Sequence, residues 1–279
     1  MSLIQVDMDK CVSCGACSDV CLTKAIILGG SGPEAVDDAC IRCGHCVAVC
    51  PTAALTHTNA PLEEQTRKTK TPALTPEAVA QYMRSRVSVR TYRDKKVPRE
   101  EVEKVLNIAR FAPTHRNSQA ITYLVIDDAS ILRQVREAAI SLFEHDIERG
   151  IAMDGEYDPS YPKLKLSMVS RFREQDTDTI LWGAPCLVLA LADKSTALNP
   201  REASIYCLTY AHLYAPSLGL GSCWAGAVEY GVVRQWEPML KALDVGDDFD
   251  KITAALMLGY PKYRYPRLVS RDPLSVKWK

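Results

Sequence analysis

Eleven cysteines stand in this chain of 279 residues, and eight of them fall within its first fifty positions. They read Cys11-x2-Cys14-x2-Cys17-x3-Cys21 and Cys40-x2-Cys43-x2-Cys46-x3-Cys50, one spacing used twice. Three thiolates so close together on a loop can hold three corners of an iron–sulfur cubane, and Gly15 and Gly44 let backbone amides approach its sulfides. Zinc knuckles and disulfide frameworks also use clustered cysteines. No charged and then apolar leader opens the chain, which favours a reducing compartment, where thiols ligate metal instead of pairing. Cys186, Cys207 and Cys223 are scattered and read as small buried hydrophobes.

A second set of candidates lies downstream. In Ser85-Arg86-Val87-Ser88-Val89-Arg90-Thr91-Tyr92 two guanidinium groups flank a serine, a combination suited to bidentate phosphate binding with an added hydroxyl. Taken alone, this is as readily a solvated basic loop. It is followed in order by Ala109-Arg110-Phe111-Ala112-Pro113-Thr114-His115-Arg116-Asn117-Ser118-Gln119, then Trp182-Gly183-Ala184-Pro185. Leu218-Gly219-Leu220-Gly221-Ser222-Cys223-Trp224-Ala225-Gly226 and Leu258-Gly259-Tyr260-Pro261 complete the set. Near the end, Lys262, Arg264, Arg267, Arg271, Lys277 and Lys279 face Asp272 alone. No nucleic-acid recognition motif accompanies that basic stretch, so no nucleic-acid partner is expected.

Elements must position these residues. Basic and acidic side chains balance at 34 each, and 47% of the residues are hydrophobic, which excludes general disorder and fibrous repeats. No run of about eighteen apolar residues is present, so a cytoplasmic protein without membrane contact is expected. The Thr-, Pro- and charge-rich stretch 59–75 reads as a linker between a cysteine domain over 1–58 and a larger domain over 76–279. Thr75-Pro76 opens a helix, and Val102, Val105, Leu106 and Ala109 mark the apolar stripe of another that stops at Pro113. Further helices are expected over 129–148, 165–181, 201–217 and 231–243. The apolar runs 121–126, 186–191 and 252–258 read as strands buried on both faces and covered by helices. Tyr157, Tyr161 and Phe172 are read as packing residues between two helices.

The cysteine zone closely resembles the bacterial two-cluster ferredoxins. That resemblance implies one [4Fe-4S] cluster on Cys11, Cys14, Cys17 and Cys50 and a second on Cys40, Cys43, Cys46 and Cys21, with the fourth cysteine of each repeat crossing over from the start of a helix. Cys50-Pro51 keeps the usual proline, whereas Cys21-Leu22 departs from it. His45, between two ligands, reads as a surface residue. Residues 1–60 hold six acids and three bases, which suits a protein electron donor with a basic docking patch.

Residues 76–265 resemble the nitroreductase family of FMN-dependent oxidoreductases through their ordered motifs. The resemblance implies an α+β architecture: a two-cluster ferredoxin domain followed by an α/β/α layered domain that binds FMN. Arg86, Val87, Ser88 and Arg90 then match the phosphate and ribityl element, and Asn117 and Gln119 the element beside the isoalloxazine. Trp224, Ala225 and Gly226 match the segment that approaches the ring, and Lys262 and Arg264 the late basic residues returning to the phosphate. It further implies a homodimer with exchange of polypeptide between subunits and a small-molecule acceptor such as a nitroaromatic, quinone or enone. No catalytic residue is identified. An electron carrier or redox sensor without turnover, and a reductive dehalogenase, are the alternatives. No G-x-G-x-x-G after a strand marks a nicotinamide site.

Overall fold

The computed structural model describes residues 3–30, 32–68, 74–151, 161–193 and 195–279. The chain divides into two compact units, one of Met1–Ala73 with Arg116–Ser118 and the other of Leu74–His115 with Gln119–Lys279.

The first unit runs β1 (Ile4–Val6), α1 (Ala16–Asp19), β2 (Ile26–Gly29), β3 (Gly32–Ala35), α2 (His45–Val49) and β4 (Leu55–His57). β1 pairs antiparallel with β4, and β2 with β3. Its core is small: Ile4, Cys17, Ile26, Cys46, Val47, Ala54 and Leu55. So few apolar side chains stabilise a unit of this size weakly, and two of them are cysteines, so bound metal is expected to contribute to its folding. The third cysteine of each repeat lies in a short helix. The fourth does not start a helix as the resemblance implied: Cys50 caps the C-terminus of α2, and Cys21 follows Val20, the C-cap of α1.

The second unit begins with α3 (Pro76–Ser85), whose N-cap Thr75 accepts the Ala78 amide, and α4 (Arg99–Ala109). It continues through β5 (Ile121–Ile126), α5 (Ala129–Glu148), α6 (Tyr161–Gln175), β6 (Cys186–Ala192), α7 (Pro200–Tyr214) and β7 (Gly221–Trp224). α8 (Gly226–Val233), α9 (Glu237–Leu243) and β8 (Ile252–Gly259) complete it. The sheet order is β5-β6-β8-β7, with antiparallel pairing at each step. Alternation along the strands divides two cores. Leu187, Leu189, Ala255 and Met257 join Val135, Phe143, Val228 and Met239 from α5, α8 and α9. Cys186, Val188, Leu256 and Leu258 join Val105, Ala109, Cys207 and Leu208 from α4 and α7. Helices thus cover both faces, giving the α/β/α layering of an α+β protein.

Three of the expected helices depart from expectation. α7 ends at Tyr214 instead of 217, where Ala215–Leu218 tightens into a 3-10 turn with proline at its start. α6 ends at Gln175 because Asp178 turns the chain, its carboxylate accepting the amides of Ile180, Leu181 and Gly183. The stretch expected as one helix over 231–243 is broken at Gln235, which has φ +49°, and α9 restarts with proline in its first turn. Phe172 packs against the first core, whereas Tyr157 and the Tyr161 side chain lie outside the described residues. Among the described residues no helix is long and apolar enough to cross a membrane.

Candidate functional site

In the first unit the cysteines gather into two quartets. Cys11, Cys14, Cys17 and Cys50 line one recess, beside Pro33 and Pro51. Cys21, Cys40, Cys43 and Cys46 line the other, with His45 and His57. None of these thiols is in a disulfide. Among the described residues no three His, Cys, Asp or Glu side chains converge closely enough for a single metal ion. The thiols stand around a space instead of against a point, and that arrangement with an all-sulfur donor set fits a cluster with metal at four corners. Gly15 and Gly44, at φ +79° and +70°, place the backbone in the left-handed region just before α1 and α2.

Sulfur chemistry differs around each quartet. Burial pushes the Cys46 thiol up to about 11 and raises Cys17 as well. For Cys21 and Cys50 burial also opposes ionisation, but donors outweigh it and lower both thiols. The Ala25 amide donates to Cys21 Sγ and the Ala54 amide to Cys50 Sγ, each at 3.2 Å. The hydroxyls of Thr23 and Thr52 lie 3.8 and 3.7 Å from the same two sulfurs.

In the second unit, the segment after α3 runs beside β7. Ser88 forms a parallel bridge with Ser222, and the Val89 amide donates to the Ser222 carbonyl at 3.0 Å. The period of two in an extended chain puts Arg86, Ser88 and Arg90 on the side opposite Val87 and Val89. All three act on the buried Cys223 thiol, which burial raises while the Arg90 charge, a Ser88 hydrogen bond and the Arg86 charge pull it down. Val89 fills the space that a glycine leaves: a Cβ on Gly221 would lie 2.5 Å from its methyl.

His212, on α7, was not singled out in the sequence; a lone histidine 126 positions from its partner carries no motif. Its Nε2 accepts from the Arg86 guanidinium at 2.7 Å, and its Nδ1 faces Ser222 Oγ. A guanidinium only donates, so Nε2 is the acceptor and Nδ1 carries the proton that Ser222 Oγ receives. Burial and then the Arg86 charge push the imidazole down to about 4, so it is neutral at pH 7. It holds Arg86 without cancelling its charge. Val87, His212, Gly221, Ser222, Pro261 and Arg264 line a cleft here. Val87 also lines an adjoining recess with Arg84, Arg86 and Arg271, three guanidinium side chains and no carboxylate. That donor set fits a bound phosphate.

The other expected site residues are distributed as follows. Trp224 ends β7, and the Ala225 amide donates to the Ala255 carbonyl at 2.9 Å. Gly226 opens α8, and a Cβ on it would meet open space, leaving its backbone approachable by a planar ring. These three do not line the cleft around Gly221. The Lys262 amide donates to the Thr91 carbonyl at 3.0 Å, and its Nζ lies 5.7 Å from the Tyr263 ring. Gln119 is exposed, in the left-handed region, with its amide donating to Thr114 Oγ1 at 3.0 Å. Asn117 belongs to the first unit, where its side-chain amide donates to the carbonyls of Ile41 and Arg42 at 3.3 and 3.1 Å.

Comparison with known proteins agrees with both halves. The model of the nitroreductase family matches residues 83–260, and that of a 4Fe-4S dicluster domain matches residues 3–51. An Archaeoglobus fulgidus protein named "Putative NADH dehydrogenase/NAD(P)H nitroreductase" is 24% identical over 179 residues, 64% of this chain and 82% of its own length. A Bacteroides fragilis nitroreductase with bound FMN superposes with a TM-score of 0.52 at 18% identity, covering 72% of this chain and 98% of its own. An iodotyrosine deiodinase bound to FMN and 3-iodo-L-tyrosine superposes at 0.54 and 22% identity, with the same two coverages. At such identities the two structures establish the shared fold.

Proposed function

The chain belongs to the nitroreductase family and carries an N-terminal 4Fe-4S dicluster domain, and from that premise we propose that it is an FMN-dependent oxidoreductase supplied with electrons by two [4Fe-4S] clusters and reducing a small organic acceptor such as a nitroaromatic, quinone or enone. The observation that carries this reading is the presence, in one chain, of two four-thiol recesses and an arginine-lined cleft. When bound, FMN supplies a carrier that takes electrons singly and gives them up as a pair.

The chain's own residues do the rest. Four thiols at each recess bind iron, and the Ala25 and Ala54 amides stabilise the negative charge on their sulfurs. Arg86, held by neutral His212, presents its remaining donors to the FMN phosphate, with Ser88 and Arg90 beside it on the same extended face. Gly226 leaves room for the isoalloxazine, and Trp224 and Ala225 fix the turn that presents it. The acidic balance of residues 1–60 favours a basic protein donor.

A homodimer is part of the proposal. α3 buries no residue, with Val79, Tyr82 and Met83 exposed, and the terminal stretch leaves Leu274 and Trp278 89% and 91% accessible. Apolar surface of this kind is covered in an assembly.

An anaerobic reductive titration followed by visible absorbance, with iron, sulfide and FMN counted on the same sample, tests the reading. About eight irons and one FMN per chain, both centres reducible, are expected. Clusters without flavin after FMN reconstitution would overturn it and leave a ferredoxin joined to a domain of other use. A panel of nitroaromatics, quinones and enones then separates turnover from electron carriage alone.

A further inference from the structure

The two cysteine repeats are related by a shift of 29 residues, and the structure repeats with them. Ser13 and Arg42, Gly15 and Gly44, and Lys24 and Ala53 are three pairs of equivalent positions, and every member has positive φ. The donors to the fourth cysteines repeat as well, amide and threonine hydroxyl alike, at distances equal to within 0.1 Å. Because Cys21 lines the second recess and Cys50 the first, each quartet receives one such set.

The repeat breaks at Cys40. Its Sγ receives the Arg42 amide at 3.3 Å and lies 3.5 Å from His57 Nε2. His57 is buried at 1% accessibility on β4, and its Nδ1 accepts the Asn59 amide at 2.9 Å. A backbone amide can only donate, so that contact puts the ring proton on Nε2, the nitrogen that faces the sulfur. The equivalent position in the first repeat is Leu28, apolar and 48% accessible, which has no proton to give Cys11.

We propose that His57 raises the reduction potential of the cluster held by Cys21, Cys40, Cys43 and Cys46 above that of the cluster held by Cys11, Cys14, Cys17 and Cys50. This rests on the reading of the two recesses as cluster sites. Reduction adds negative charge that spreads onto the thiolates, and an N–H aimed at a thiolate sulfur stabilises the more negative state. Burial strengthens that effect. An electron reaching the first cluster then moves to the second: one is lost there and one gained here, with no proton or ligand exchanged. His57 is a positioning donor whose counterpart in the first repeat, Leu28, has no proton to give, and that difference gives the pair of sites a direction.

The test is an EPR-monitored anaerobic redox titration of the full chain, with iron and sulfide counted, on the wild type, His57→Leu and His57→Gln. Leucine reproduces the first repeat, and glutamine retains an N–H donor. Two midpoints are expected in the wild type. His57→Leu lowers the higher one by about 59 mV, a tenfold change in electron sharing for a one-electron couple, and leaves the lower one in place. His57→Gln recovers part of the difference. Full iron with both midpoints unchanged in His57→Leu, or movement of the lower one alone, overturns the proposal. Fewer than about eight irons in the wild type overturns the cluster reading itself. If His57→Leu loses iron, pulsed EPR on 15N-histidine-labelled protein carrying His45→Gln decides the matter without it. A nitrogen coupling is expected on the cluster reduced first, and its absence there rejects the assignment.

Discussion

His212 shows how a single buried imidazole can set the behaviour of a charged neighbour. Its folded proton affinity is pushed down to about 4 from the ordinary 6.5 by burial and then by Arg86. The unfolded chain therefore takes up a proton as pH falls below 6.5, whereas the folded chain refuses one until pH 4 is approached. This contribution to stability is fully present above pH 6.5 and is lost on acidification, by about 2 kcal/mol at pH 5. Denaturant unfolding at pH 7.5 and 5 should show His212→Gln losing less stability than the wild type; equal losses would reject the neutral-imidazole assignment. Arg86→Ala removes the guanidinium that His212 holds, and FMN retention should weaken about tenfold or more, read by fluorescence of released flavin. The Arg-x-Ser-x-Arg spacing was legible because an extended chain alternates, which puts all three polar side chains on one face. The histidine was not, because nothing local in α7 distinguishes it from a surface residue.

Elements explain why the cleft has its shape. β7 holds the Ser88 segment at close range only because Gly221 has no side chain where Val89 sits, and Gly259 likewise makes room for Pro185 and Tyr92, whose atoms a Cβ would meet at 2.6 and 2.7 Å. Gly221→Ala should destabilise the protein by about 1–3 kcal/mol through overpacking. Val89→Ala in the same chain should restore part of that loss, and denaturant midpoints of the two single variants and the double variant check the coupling. α5 follows its expected bounds because Asp128 caps it with two amide hydrogen bonds and its apolar stripe is continuous. The expected helix over 231–243 failed at the left-handed Gln235, and Pro238, which suits the first turn of a new helix and not the interior of an old one, was the sequence signal of that break. β7 was legible as a glycine-rich motif but not as a strand, since four residues are too few to show alternation.

At the scale of the whole molecule, α3 leaves Val79, Tyr82 and Met83 exposed and the terminal stretch leaves Leu274, Val276 and Trp278 exposed. The expected homodimer should run at twice the 30.9 kDa of the chain in light scattering. Deleting Asp272–Lys279 removes Leu274, Val276 and Trp278, and the dimer should then dissociate at lower dilution than the intact protein. An unchanged dissociation profile would move the interface elsewhere. The first unit's small core makes a second molecular property expected: cluster loss should unfold it before the second unit, whose two cores flank the central sheet.

The amino-acid order alone determined what depends on spacing: two sets of four thiols, an alternating arginine face, and three apolar runs that form strands. Of these, β6 and β8 are central and buried as expected, while β5, expected to be buried on both faces, is a part-buried edge strand. Local rules suffice for these, since a loop, a strand or a helix brings near neighbours together whatever the rest of the chain does. The tertiary structure decided what depends on distant chain segments meeting. It joined Cys50 to the first three cysteines in one recess, set His212 against Arg86, and put His57 beside Cys40 while its repeat partner Leu28 stayed apolar and half exposed. Such pairings follow from packing two cores and one small duplicated unit, and packing is a property of the whole fold.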